Sequence, residues 1–155
     1  MKLSSLDWVI LTIPVLGVLD VLSTFFVALQ GYPIHIYEAG LFASYFAQAG
    51  LLPFYVPFYL GILSGATAVL LFIKRELTTS KFHDELFFML LVFAICLVEA
   101  VLTNVVVSNF LIGLSRFTSL GGLRWLIYLS VFVSILTFTW DELKEQLGFG
   151  KNGKD

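Results

Sequence analysis

Four long apolar runs divide the chain, and short polar segments separate them. Trp8 to Leu29 is the first, Leu51 to Ile73 the second, Leu86 to Ile112 the third and Leu120 to Trp140 the fourth. A helix that crosses a bilayer needs roughly 20 apolar residues. The fourth run reaches that length with Arg124 extended along its stem to the interface. The pattern therefore predicts an all-α polytopic membrane protein with four transmembrane helices and a single membrane domain, residues 1–155. Trp8, Trp125 and Trp140 stand at run ends, where interfacial tryptophans belong. The first run follows Lys2, as a signal peptide would. It is too long for one, carries Asp20 and lacks a small-residue cleavage site, so it reads as a retained anchor.

Two further segments are apolar or helical without being spans. Between spans one and two, Tyr37 to Ala49 places Leu41, Phe42, Tyr45 and Phe46 on one helical face. This predicts a short outer interfacial or re-entrant helix, with an extension of span two as the alternative. After span four, residues 141–155 form a tail in which Asp141 to Leu147 continues the helix and Gly148 suits its C-cap.

Composition sharpens the class. The chain is 59% hydrophobic and 13% charged, against about 45–50% and about 25% for an average globular domain. Mean hydropathy is +0.94. Too few charges are present to cover a water-exposed surface, and the apolar excess excludes disorder. A net charge of −2 gives no basic surface for nucleic acid. A single cysteine, Cys96, excludes an intrachain disulfide. Lys2, Lys74, Arg75, Lys81, Lys144, Lys151 and Lys154 fall on one side of the predicted spans, Arg116 and Arg124 on the other. That asymmetry predicts a multi-pass protein of the cell membrane with both termini cytoplasmic.

Carboxylates within spans are the candidate chemistry. Insertion of Asp at a span centre costs about 2.5–3.5 kcal/mol, so such groups face a partner or a cavity. Asp20 lies 13 residues past Asp7, and Glu99 lies 14 past Glu85. At a 1.5 Å rise both are expected roughly 20 Å into the bilayer. Their surroundings also match: Gly17, Asp20 and Thr24 share one helical face, as do Cys96, Glu99 and Thr103. The match predicts two parallel two-helix repeats. If the two faces meet, Asp20 and Glu99 form a paired proton or hard-cation site, with Thr24, Thr103 and Asn104 supplying oxygens and Asn109 nearby. The alternative is structural: a protonated acid pair and polar clamps between helices.

Outside the spans, His35 and Glu38 share one helical turn. Two ligands are too few for a metal site. Glu38 reads as an N-terminal helix carboxylate or as an outer gate to the intramembrane acids. The Pro53-Phe-Tyr-Val-Pro57-Phe-Tyr stretch marks an aromatic helix entrance, and Gly61, Ser64, Gly65, Ala66 and Ala68 form a small-residue packing surface. No histidine lies in a span to activate Ser64, no second aspartate joins Asp20, and no phosphate-binding glycine loop is present. A membrane enzyme acting on lipid, with Glu38 and His35 in its site, is the weakest reading, because a nucleophile and a metal constellation are missing, and no cofactor is expected.

Asp20-x-x-x-Thr24 followed by Glu38 resembles a family of small prokaryotic integral membrane proteins without assigned activity. That family carries Asn three residues before D-x-x-x-T and then E-x-N-P. The chain matches at Asp20, Thr24 and Glu38 and departs at Gly17 and at Ala39-Gly40-Leu41. The resemblance covers residues 17–73 and implies that Asp20 works with Glu38. The functional expectation is a transporter or channel-like protein, with a structural or assembly subunit as the alternative. The expected partners are the lipid bilayer and a second copy or another membrane protein.

Overall fold

The computed structural model describes residues 3–31, 45–46, 48–79, 85–115 and 121–147, and among these every regular element is an α-helix. In chain order they are α1 (Ser5–Leu29), α2 (Leu52–Thr79), α3 (Glu85–Ser115), α4 (Gly121–Phe138) and α5 (Trp140–Gln146). Three helices, α1, α2 and α3, are long and apolar enough to cross a membrane by themselves. A fourth crossing is counted only if α4 and α5 are taken together, and these are bent by 61°. Most of the expected outer segment, with His35 and Glu38, lies outside the described residues.

Local chemistry sets the ends. Before α1, Ser4 and Asp7 form a capping box: the Asp7 amide donates to Ser4 Oγ at 3.2 Å, and the Ser4 amide to Asp7 Oδ2 at 2.9 Å. Each satisfies an amide that a helix start leaves without a partner. Beyond α1, Gly31 takes a φ of +88°, a left-handed conformation that glycine adopts without a side-chain clash. Pro57 sits inside α2 without interrupting it. The expected helix after span four forms as α5, at a bend of 61° to α4. The Thr139 hydroxyl bonds back to the Ile135 carbonyl at 2.8 Å, and the chain turns there. Back-bonding of this kind bends helices.

In space α1 lies between α2 and α3, and α4 packs on α3. Leu6, Ile10, Ile13 and Gly17 form the buried face of α1, at the spacing one helix face requires. They meet Phe88, Val92 and Ile95 of α3, while Ile135 of α4 and Leu143 of α5 close the cluster. At Gly17 an added Cβ would collide with Leu63 of α2, so this position sets how closely α1 and α2 approach. The outer faces remain apolar: Phe54, Phe58 and Phe72 of α2 and Phe87, Phe93 and Leu97 of α3 are exposed. In lipid such exposure costs little, and helices associate through close packing and polar contacts instead.

Candidate functional site

Glu99 projects from the middle of α3 and is 4% exposed. Its Oε1 lies 2.7 Å from the Thr12 hydroxyl of α1. The same hydroxyl lies 2.6 Å from the Val9 carbonyl. Threonine has one hydroxyl proton and two lone pairs, so it can fully donate to one of these oxygens only. Beside this pair is a lateral cleft of about 460 Å³ between α1, α3 and α4. Trp8, Val9, Ile135 and Phe138 give it apolar walls, and Ser130 and Ser134 of α4 add hydroxyls.

Asp20 sits elsewhere. The Tyr59 hydroxyl of α2 donates to its Oδ2 at 2.7 Å. Its Oδ1 is buried and has no hydrogen-bond partner among the described residues. The expected pairing of Asp20 with Glu99 is therefore not formed: one acid bonds towards α2, the other towards Thr12. The register explains the difference. Thr12 is level with Glu99, and Ser23 and Thr24 are level with Asn109, whose Nδ2 donates to them at 3.1 and 3.2 Å. Asp20 lies eight residues beyond Thr12, which is roughly 12 Å along the axis. Equating Asp7 with Glu85 placed α3 about two turns too far along α1. The register likewise does not set Gly17, Asp20 and Thr24 at the depth of Cys96, Glu99 and Thr103. Gly17 packs on α2, and Cys96 lies in the core.

The other predicted site residues serve helix pairing or stand apart. Thr24 belongs to the Asn109 contact between α1 and α3. Asn104 donates to the Tyr128 hydroxyl of α4 at 3.2 Å, and among the described residues its Oδ1 is buried without a partner, as is Ser108 Oγ. Thr103 is half-buried and takes no part in these bonds. Glu38 and His35 lie outside the described residues, so their relation to Asp20 is not described. No group of three metal-ligating side chains occurs among the described residues.

A second polar cluster was not anticipated. Where α1 begins, Lys74 of α2 bonds Asp7 at 2.8 Å and Glu142 of α5 at 2.9 Å, and it contacts the Ser4 hydroxyl. Glu142 Oε2 also accepts from the Leu6 amide at 2.8 Å and the Ser5 hydroxyl at 2.9 Å. Side-chain exposure is 7% for Lys74 and 13% for Glu142. Burial pulls the Glu142 carboxyl upward, but the Leu6, Lys74 and serine bonds outweigh it and hold it below its ordinary 4.5. The Ser4-x-x-Asp7 spacing was the available signal, because it is a capping box ahead of an apolar run. The sequence alone marks Lys74 only as a topological charge. Compared with protein-family models, with curated proteins and with solved structures, the chain matches none of them.

Proposed function

We propose that this chain is a small carrier-like protein of the cell membrane that binds a proton at Glu99, inside the bilayer. The observation that carries this reading is the Thr12 contact. The Thr12 hydroxyl can donate to Glu99 at 2.7 Å or to the Val9 carbonyl at 2.6 Å: turned to Glu99 it supports a carboxylate, and turned to Val9 it accepts the proton of a neutral acid. The cleft beside it offers a lateral route to that proton. Asp20, with its unpartnered Oδ1, is a second acid site farther along α1. Ile13 and Leu102 belong to the apolar core at depths between the two acids. That layer favours exchange at one acid at a time over an open pore. With both termini cytoplasmic, as the Lys and Arg distribution supports, the Glu99 cleft lies in the inner half of the bilayer. The test is proton flux driven by a pH gradient in liposomes containing the purified protein. Glu99→Gln should abolish the flux; undiminished flux in that variant would remove the assignment.

A second reading, an assembly subunit or homo-oligomer, is favoured by the face of α2. Gly61 and Gly65 are exposed there, and an added Cβ at either meets nothing within 4 Å. Small residues four apart on a lipid-facing helix suit close approach by another helix. On this reading the polar contacts of Asp20, Asn104 and Asn109 are clamps, and their removal changes stability or association without changing flux.

A further inference from the structure

From the cleft geometry we infer that the Glu99 cleft binds the ammonium head of a lipophilic amine, a monocation carrying an apolar body. This rests on the proposed proton site at Glu99 and names what competes with its proton. A volume of about 460 Å³ falls in the range of sites for drug-sized molecules, roughly 300–1,000 Å³. The walls supply the contacts an apolar body requires: Val9, Ile135 and Phe138 are aliphatic or aromatic, and Trp8 adds an indole ring. The groups that can accept from an N–H donor are few. They are the Glu99 carboxyl and the hydroxyls of Thr12, Ser130 and Ser134. Among the described residues, no Lys or Arg lines the cleft.

Charge complementarity selects a cation, and the donor count selects an organic one. One carboxylate with three hydroxyls is a poor replacement for the six to eight oxygens around a hard divalent ion. An ammonium group needs fewer partners and brings its own apolar surface. When the amine binds, the Glu99 acid loses its proton to water and the carboxylate accepts an N–H bond. The amine stays protonated, so charge balances as one cation exchanged for another. The groups facing Glu99 are the Cys96 thiol on its own helix, the Thr12 hydroxyl on α1 and the serine hydroxyls on α4. Asp7, Lys74 and Glu142 bond one another at the end of the bundle and do not line the cleft.

The experiment uses the full chain in nanodiscs of neutral phosphatidylcholine and two fluorescent probes. Dansylcadaverine is a lipophilic primary amine; its N-acetyl derivative has the same body without the charge. Saturable binding of the amine is expected, with the acetylated probe weaker by about tenfold or more, as for loss of a charged hydrogen bond. Binding of the amine weakens as the pH is lowered. Glu99→Gln should bring the amine down to the level of the acetylated probe, and Glu76→Gln, at an exposed carboxylate of α2 that does not line the cleft, should leave it unchanged. Ser134→Leu, which fills the cleft without touching the carboxyl, should weaken both probes and decides the question if Glu99→Gln fails to fold. Equal affinity of the two probes, or an undiminished amine affinity in Glu99→Gln or in Ser134→Leu, overturns the inference. Proton flux without amine binding overturns this inference alone. Amine binding without flux overturns the transport reading and leaves the cleft assignment standing.

Discussion

Lys74 is the residue on which three elements converge. Its ammonium joins α2 to Asp7 of α1 and Glu142 of α5, and its side chain is only 7% exposed. Replacing it by methionine keeps the aliphatic stem but leaves two part-buried carboxylates without their cation. Breaking a buried pair from one side costs about 3–5 kcal/mol. Lys74→Met is therefore expected to lower the midpoint of unfolding in mixed detergent strongly, while Arg75→Met, at an exposed neighbour, should change it little. Equal effects would show that the ion pairs contribute nothing. Acid should reproduce part of the loss. Glu142 lies on α5, beyond the bend that ends α4, and its folded value is depressed below 4.5. A depressed carboxylate stabilises the fold above its unfolded pKa, and that contribution disappears as pH falls through the folded one. Stability should hold down to about pH 4.5 and decline below it. In Glu142→Gln the acid-side slope should be shallower, as unfolding against pH would show.

At the scale of helices, the four described polar contacts inside the bundle join three pairs, α1 with α3 twice. Glu99 reaches α1 from α3, Asp20 reaches α2 from α1, Asn104 reaches α4 from α3, and Asn109 ties α3 back to α1. The two asparagines should differ. Asn109 donates twice, to Ser23 and Thr24, and Asn109→Leu should cost about 1 kcal/mol, the scale of polar contacts between membrane helices. Asn104 makes one bond and carries a buried, unpartnered Oδ1. Asn104→Leu removes the bond and the orphan together, so its cost should be near zero. Detergent unfolding of the two variants gives the order, and the reverse order would refute the assignment of these bonds. The apolar runs made the helices legible, because about 20 apolar residues have few other uses. Which acids share a layer was not legible. Depth counted from Asp7 and Glu85 assumed that both helices begin at the same level. The core that Leu6, Ile10 and Ile13 share with Phe88, Val92 and Ile95, in the register of the Thr12–Glu99 contact, slides α3 along α1 instead. Periodicity gives the face of a helix but not its axial offset from a neighbour. Lys74 was hidden for the same reason, since its partners lie 67 and 68 residues away on other elements.

For the whole molecule, the question is what meets its exposed faces. Most are broad and apolar, suited to acyl chains. The α2 face differs, with Gly61 and Gly65 exposed above open space. In a lone bundle a glycine there has no packing role, and alanine is a better helix former by about 1 kcal/mol. Gly65→Ala should then stabilise the fold slightly or leave it unchanged. A second copy seated on this face reverses the sign for association: each added Cβ pushes the two backbones apart, and Gly65→Leu should do so more than Gly65→Ala. The oligomer reading therefore predicts opposite responses from one substitution. Unfolding of the single chain is unchanged or raised, while the oligomer fraction in lipid falls, most in Gly65→Leu. Energy transfer between labelled copies in liposomes, measured over a range of protein-to-lipid ratios, separates the two. If wild type and Gly65→Leu give the same concentration dependence, this face contacts lipid alone, and the Glu99 cleft must work within a single chain.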